Sequence, residues 1–402
     1  MSQRLSHSQL IALAEEFGTP LYVYHAEKIK EQYEKLTHAF QRTNAVFFYA
    51  CKALTNINIL RYIKSLGANI DCSSINEVKL ALHAGFTPDR ILYTSNGIAF
   101  SEVQEAKELG VIINIDSISN LEKFGREYGH SYPVGLRLRP NIMAGGNLKI
   151  STGHAKSKFG IPVEHIDQVV KVVEQYNICI HDLHIHTGSE IKDVEVFVKG
   201  IEVLFEIIPR FKELKFIDLG GGFKVPYQEG DTETDMNLLA QRVEELFAAH
   251  PEASKLQVWF EPGKFLVSES GYFITKVNVL KQTPAAEFVS VDSGFNHLIR
   301  PMFYDAYHHI ENISHDAKKK IYSVVGNICE TDTFAWDREL NEVREGDYLV
   351  FYNAGAYGFE MSSNFNSRLK PAEVFWKDGK ALLIRKRDTF EDLLRNQLEI
   401  HF

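Results

Sequence analysis

The stretch ANIDCSSINEVKLALHAGFTPDRILYTS (68–95) reads as strand, helix, strand. ANIDC (68–72) and ILYTS (91–95) are short apolar runs of strand length. INEVKLALHAG (75–85) between them carries apolar residues at helical spacing. Two strands joined through a helix pair in parallel, because the crossover returns the chain to the same end of the sheet. The unit repeats on both sides. VFFYA (46–50) precedes it, and VIINID (111–116), VGLRL (134–138), HDLHIH (181–186), KFIDLG (215–220) and LQVWFE (256–261) follow. Amphipathic stretches such as VEVFVKGIEVLFEIIPRF (194–211) separate them. Eight such units over about 220 residues predict an α/β fold of (β/α)8 TIM-like barrel type, with an open doubly wound sheet as the competing arrangement. The barrel is placed at residues 27–265.

After Glu261 the pattern changes to strand-like runs broken by turn residues, among them YFITKVNVLKQ, EFVSVDSG, KKIYSVVGNIC and GDYLVFYNAG. This predicts a β-rich second domain, sandwich or barrel, over 266–402. Residues 1–26 join it, since TPLYVYHA (19–26) has the form of one more strand. TFEDLLRNQL near the C-terminus predicts a helix.

Composition narrows the function. The net charge of -9 offers no basic surface for nucleic acid. No apolar run approaches the ~20 residues that span a bilayer. The four cysteines, Cys51, Cys72, Cys179 and Cys329, form no CxxC pair, and the N-terminal MSQRLSHSQL has no apolar leader core. Both points predict a reduced, cytoplasmic setting.

Barrel sites lie at the C-terminal ends of the strands, so the polar residues there matter most. Strand one ends in Tyr49-Ala50-Cys51-Lys52. A Lys there is either solvated or, if its amine is held neutral, a nucleophile toward an aldehyde. Strand six ends in His184-Ile185-His186-Thr187-Gly188-Ser189. Its two His are metal ligands, a ring platform for a cofactor, or packed structural residues. Gly220-Gly221-Gly222 ends strand seven and is either a plain turn or a phosphate cradle. Glu261-Pro262-Gly263-Lys264 ends strand eight, where Glu261 is a salt-bridge partner or the anion that keeps a pyridine ring protonated.

In this order, the four features resemble the fold-type III pyridoxal-phosphate decarboxylases, which pair a barrel with a β-domain and work as dimers. The resemblance implies pyridoxal 5'-phosphate as cofactor. By it Lys52, in YACKAL, joins the cofactor aldehyde, and His186, in HTGSE, stacks on the ring. Ser189 and Gly220 to Gly222 hold the phosphate, and Glu261, in EPGK, faces the pyridine nitrogen, with Pro262, Gly263 and Lys264 beside it. Three further motifs resemble the diaminopimelate decarboxylases within that family: RPMFY (300–304), NICET (327–331) and NAGAYG (353–358). They imply that Cys329 is the proton donor and Glu330 a substrate contact, both supplied across a homodimer interface. They also imply that Arg300, Tyr304 and Tyr357 contact substrate, with Tyr357 close to the cofactor.

The implied reaction is decarboxylation of meso-2,6-diaminopimelate to lysine and CO2. The charges suit it: a distal carboxylate calls for Arg300 or Lys264, and a distal ammonium for Glu330. The alternative is a related decarboxylase acting on ornithine, arginine or carboxynorspermidine. Three departures stand out. Lys264 replaces the usual Arg and loses its bidentate fork. Asn327 replaces a usual Pro, and Phe365 a common Tyr. Among rivals, a racemase of the same cofactor class conflicts with Glu261. A carrier barrel without a second domain conflicts with residues 266–402. A metal-dependent barrel hydrolase built on His184 and His186 lacks further ligands at strand ends.

Overall fold

The computed structural model describes residues 3–142, 153 and 156–402. The chain divides into two units, one of residues 32–226 and 232–266, the other of 1–31, 227–231 and 267–402.

The first unit is a closed barrel of eight parallel strands: Ala45–Ala50, Asn69–Cys72, Ile91–Thr94, Ile112–Ile115, Val134–Arg139, Ile180–Ile185, Phe216–Asp218 and Gln257–Phe260. Strands four and five close the ring, with Ile115 opposite Leu136. A short strand, Ile161–Pro162, adds to strand five outside the ring. Strands buried on both faces must be apolar throughout, which is why each showed as a continuous run in the sequence. The helices between them follow local rules. Helix Ile75–Ala84 starts where the Ser74 side chain accepts the Glu77 N–H, and stops at left-handed Gly85.

Register decides what lies inside the ring. Ala50 pairs with Asp71, Thr94 with Asn114, Asn114 with Gly135, and Gly135 with Asp182. One pleat further, Arg137 pairs with His184 and His184 with Asp218. Partners in a parallel ladder share a face, and side chains alternate with period two. Phe48, Leu92, Phe216 and Trp259 therefore lie two residues before Ala50, Thr94, Asp218 and Glu261 on the same face, and the four form one buried apolar cluster. The Phe216 and Trp259 rings stack 3.5 Å apart. The ring is thus plugged with aromatics toward the strand N-termini and lined with polar groups toward the C-termini.

The second unit is built on a nine-stranded mixed sheet. Strand Leu21–His25 runs antiparallel to Gly271–Gln282 and parallel to Ala372–Lys377, so the N-terminal segment lies between strands from the far end of the chain. Leu10 and Leu13 of helix His7–Phe17 pack on Leu21, Val23, Ile274, Val350 and Val374. The C-terminal helix is short, Phe390–Leu394. Among the described residues no helix is long and apolar enough to cross a membrane.

Candidate active site

Lys52 follows barrel strand one in a single 3-10 turn, Cys51–Ala53. Its Nζ lies 3.1 Å from Oδ2 of Asp71, at the end of strand two. Asp71 is fully buried, and burial together with the nearby Glu261 charge pushes its pKa up to about 7 against the pull of Lys52.

Glu261 ends strand eight and is buried, with Oε2 3.4 Å from His184 Nε2. Burial raises its pKa, but His184, whose Nε2 faces it, and the Lys52 charge outweigh that and hold it well below the usual carboxylate range. The Thr94 hydroxyl donates to Glu261 Oε1 at 3.5 Å, and Asn114 Nδ2 donates to Thr94 Oγ1 at 3.3 Å. Asp182 and Asp218 behave oppositely: burial, then Glu261, pushes both well above the usual carboxylate range. Arg137, also buried in the ring, supplies a cation beside Glu261 and lies 4.8 Å from the Phe159 ring. Glu261 is therefore the ionised carboxylate of this cluster. The ligand atoms of His184, Asp218 and Glu261 lie within 4.8 Å of one another, and burial raises the pKa of Asp218 among them, which works against its binding a cation.

The loops after strands six, seven and eight are knitted by backbone. His186 Nδ1 accepts the Gly221 N–H at 3.2 Å. Burial, reinforced by Arg137, pushes His186 down to about 3, so the ring is neutral with its proton on Nε2. The Gly220 N–H donates to Asp218 Oδ1 at 2.8 Å, and the Glu261 N–H to Gly220 O at 2.8 Å. Gly220 (φ 67°) and Gly222 (φ 100°) take left-handed backbone. A Cβ on Gly221 would meet the Glu261 carbonyl oxygen at 2.2 Å. The Ala50 N–H donates to Pro262 O at 3.1 Å, and Gly263 packs against Ala50. Ser189 is half-buried next to Glu190, whose carboxylate pairs with the largely buried Lys264.

This set answers the needs of pyridoxal phosphate. Lys52 offers an amine, Glu261 an anion for a protonated pyridine nitrogen and His186 a flat neutral ring. The Gly220–Gly222 loop, where a Cβ has no room, offers close backbone approach with Ser189 and Lys264 nearby.

The remaining residues singled out in the sequence lie in the sheet unit. Arg300 opens helix Arg300–Tyr304 and is buried, 6% exposed. Its guanidinium donates to His308 Nε2 at 3.4 Å and to the Tyr227 hydroxyl at 3.3 Å. Tyr304 is partly exposed. Cys329 and Glu330 are exposed, and the Cys329 N–H donates to Asn366 Oδ1 at 2.6 Å. Asp332 holds their loop: its backbone carbonyl accepts the Gly326 N–H at 2.8 Å. Tyr357 is half-buried in left-handed backbone at φ 54°.

Sequence reading passed over Asp71, Arg137, Tyr227 and His308. Asp71 had left a signal, a lone charge at the end of the apolar run ANIDC; the others had left none without the register.

A family model described as the pyridoxal-binding domain of pyridoxal-dependent decarboxylases matches residues 26–268. The diaminopimelate decarboxylase of Methanothermobacter thermautotrophicus is 39% identical, over 96% of this chain and 93% of its own. That of Aquifex aeolicus is 35% identical, over 96% and 94%. The crystal structure of the M. jannaschii enzyme in co-complex with L-lysine superposes with a TM-score of 0.89 at 33% identity, covering 98% of this chain and 95% of that one. A barrel with this rim, a sheet unit carrying these motifs and likeness over nearly the whole length place the chain in the diaminopimelate decarboxylase family.

Proposed function

We propose that this protein decarboxylates meso-2,6-diaminopimelate to L-lysine and CO2, using pyridoxal phosphate, as a cytoplasmic homodimer with shared active sites. The observation that carries the substrate is Arg300. A guanidinium keeps its charge when buried, and a buried charge without a counter-ion is costly. Among the described residues no carboxylate lies within ion-pair distance of it; its hydrogen bonds go to a neutral imidazole and a phenol. The carboxylate of the unreacted end of diaminopimelate supplies the missing charge.

When bound, pyridoxal phosphate would supply the electron sink that a decarboxylation at the α-carbon needs. Lys52 would hold the cofactor through its aldehyde, and Asp71, 3.1 Å from the amine, keeps that amine in place. Glu261 would keep the pyridine nitrogen protonated, and Thr94 and His184 fix the Glu261 carboxylate. Neutral His186 would offer a flat face to the ring without competing for that proton. Gly220, Gly221, Gly222, Ser189 and Lys264 would hold the phosphate, with Pro262 and Gly263 shaping the loop beside Ala50. The α-carbon that loses CO2 takes up one proton, and Cys329 of the partner subunit delivers it. Glu330 from the same loop pairs with the distal ammonium, and Tyr304 and Tyr357 line the substrate.

The test is CO2 and lysine release from meso-diaminopimelate, run beside ornithine. Wild type is expected to favour diaminopimelate on the order of a thousandfold in kcat/KM, because a substrate without the distal carboxylate leaves Arg300 unpaired. Arg300→Ala should erode most of that ratio. Wild-type preference for ornithine, or equal losses on both substrates in Arg300→Ala, would overturn the reading.

A further inference from the structure

Arg300 is held by two hydrogen-bonded arms, and both end on one short piece of backbone. In the first arm, His308 Nδ1 lies 2.9 Å from the carbonyl oxygen of Tyr352. A carbonyl only accepts, so Nδ1 carries the imidazole proton. Nε2 is then a lone pair, and it faces Arg300 Nε at 3.4 Å. In the second arm, Arg300 Nη2 donates to the Tyr227 hydroxyl at 3.3 Å, and that hydroxyl lies 2.7 Å from Ser268 Oγ. Ser268 Oγ donates to the carbonyl oxygen of Asn353 at 3.3 Å. Each donor in the second arm has an acceptor, so the Tyr227 hydroxyl spends its proton on Ser268 and turns a lone pair to Arg300. The two aromatic residues pack edge to face, with ring centroids 5.7 Å apart at 90°. Tyr352 and Asn353 are consecutive and lead into the loop that carries Tyr357. That loop is pinned by Ala354 N–H to Gly271 O at 2.9 Å and Gly355 N–H to Ser268 O at 3.1 Å.

We propose that His308 and Tyr227 are positioning residues that clamp Arg300 from two sides and tie its guanidinium to the Tyr352–Tyr357 segment, fixing where the substrate's unreacted carboxylate binds. This rests on the reading that Arg300 takes that carboxylate. The clamp leaves guanidinium N–H groups for the ligand, and a rotamer-rich side chain held beforehand loses less entropy on binding. Neither partner brings an anion that would compete with the ligand.

Product binding tests this apart from catalysis. L-lysine keeps the carboxylate of the unreacted end, and cadaverine is the same molecule without it. Dissociation constants for both would be measured by calorimetry on the pyridoxal-phosphate-loaded enzyme, for wild type, His308→Ala, His308→Gln and Tyr227→Phe. His308→Ala and Tyr227→Phe should weaken lysine about tenfold and leave cadaverine within about twofold. His308→Gln, whose amide oxygen can accept from Arg300, should recover part of the loss. KM for diaminopimelate should rise with the lysine constant while kcat changes less. Unchanged lysine binding in both the His308→Ala and Tyr227→Phe variants, or equal weakening of both ligands, would overturn the clamp. Wild-type enzyme that binds lysine and cadaverine equally would overturn the Arg300 reading itself, and the clamp with it.

Discussion

Asp71 is the residue whose charge is most finely balanced. Burial and Glu261 push its pKa up to about 7, while Lys52, 3.1 Å away, pulls the other way. In the unfolded chain the same carboxyl titrates near its ordinary value of about 4. The folded protein therefore holds a proton on Asp71 that the unfolded chain has released between these two pH values. Stability from this group is fully present below about pH 4 and is lost as pH rises toward 7, by at most on the order of 4 kcal/mol. Asp71→Asn removes the titration. The difference in unfolding free energy, wild type minus Asp71→Asn, should fall steadily from pH 4 to 7 in cofactor-free protein and be flat above it. Denaturant melts across that range check it, and a difference independent of pH would show that Asp71 stays ionised throughout. Such a balance is invisible in the sequence: ANIDC places an acid at a strand end, but the Glu261 that raises its pKa is 190 residues away along the chain.

At the scale of elements, the glycine loop is the most demanding piece of backbone. A Cβ on Gly221 would lie 2.2 Å from the Glu261 carbonyl oxygen, which is backbone and cannot swing aside. Gly221→Ala must move the loop after strand seven or that after strand eight. It should lower the stability of the cofactor-free protein by about 2 kcal/mol. It should also weaken cofactor binding by more than that alone explains, because the Gly221 N–H would leave His186. A melting temperature and a pyridoxal phosphate titration measure the two effects. A variant that melts like wild type and binds cofactor normally would show that the loop has room. The barrel strands were legible because parallel strands covered on both faces are apolar runs: KFIDLG (215–220) contains strand Phe216–Asp218, and VGLRL (134–138) lies inside Val134–Arg139. Of the polar lining, His184 and Glu261 were legible at strand ends, but Arg137 and Asp182 look like ordinary alternation until Arg137 is found beside His184 and Asp182 beside Gly135. Tyr227 was hidden for another reason. Residues 227–231 belong to the sheet unit although barrel segments flank them on both sides, and nothing in their composition marks the switch.

At the scale of the whole molecule, the proposal that two subunits share each active site makes a genetic prediction. Cys329 and Glu330 are both exposed in a loop held by Asp332, as groups meant for a surface would be. If each site takes Lys52 from one subunit and Cys329 from the other, the two residues can be separated genetically. A Lys52→Ala homodimer lacks both amines, and a Cys329→Ala homodimer lacks both thiols, so each should be nearly inactive alone. In a mixed dimer, two-fold symmetry gathers both substitutions into one site and leaves the other with wild-type Lys52 and Cys329. Equal amounts, exchanged at random, give half mixed dimers with one good site in two, so activity should return to about a quarter of the wild-type value. The mixture must be shown by mass to contain mixed dimers, and turnover on meso-diaminopimelate is then measured per total subunit. Recovery near that level supports shared sites. No recovery with mixed dimers present would assign Lys52 and Cys329 to the same subunit's site, and a chain that stays monomeric while turning over substrate would remove the dimer from the mechanism.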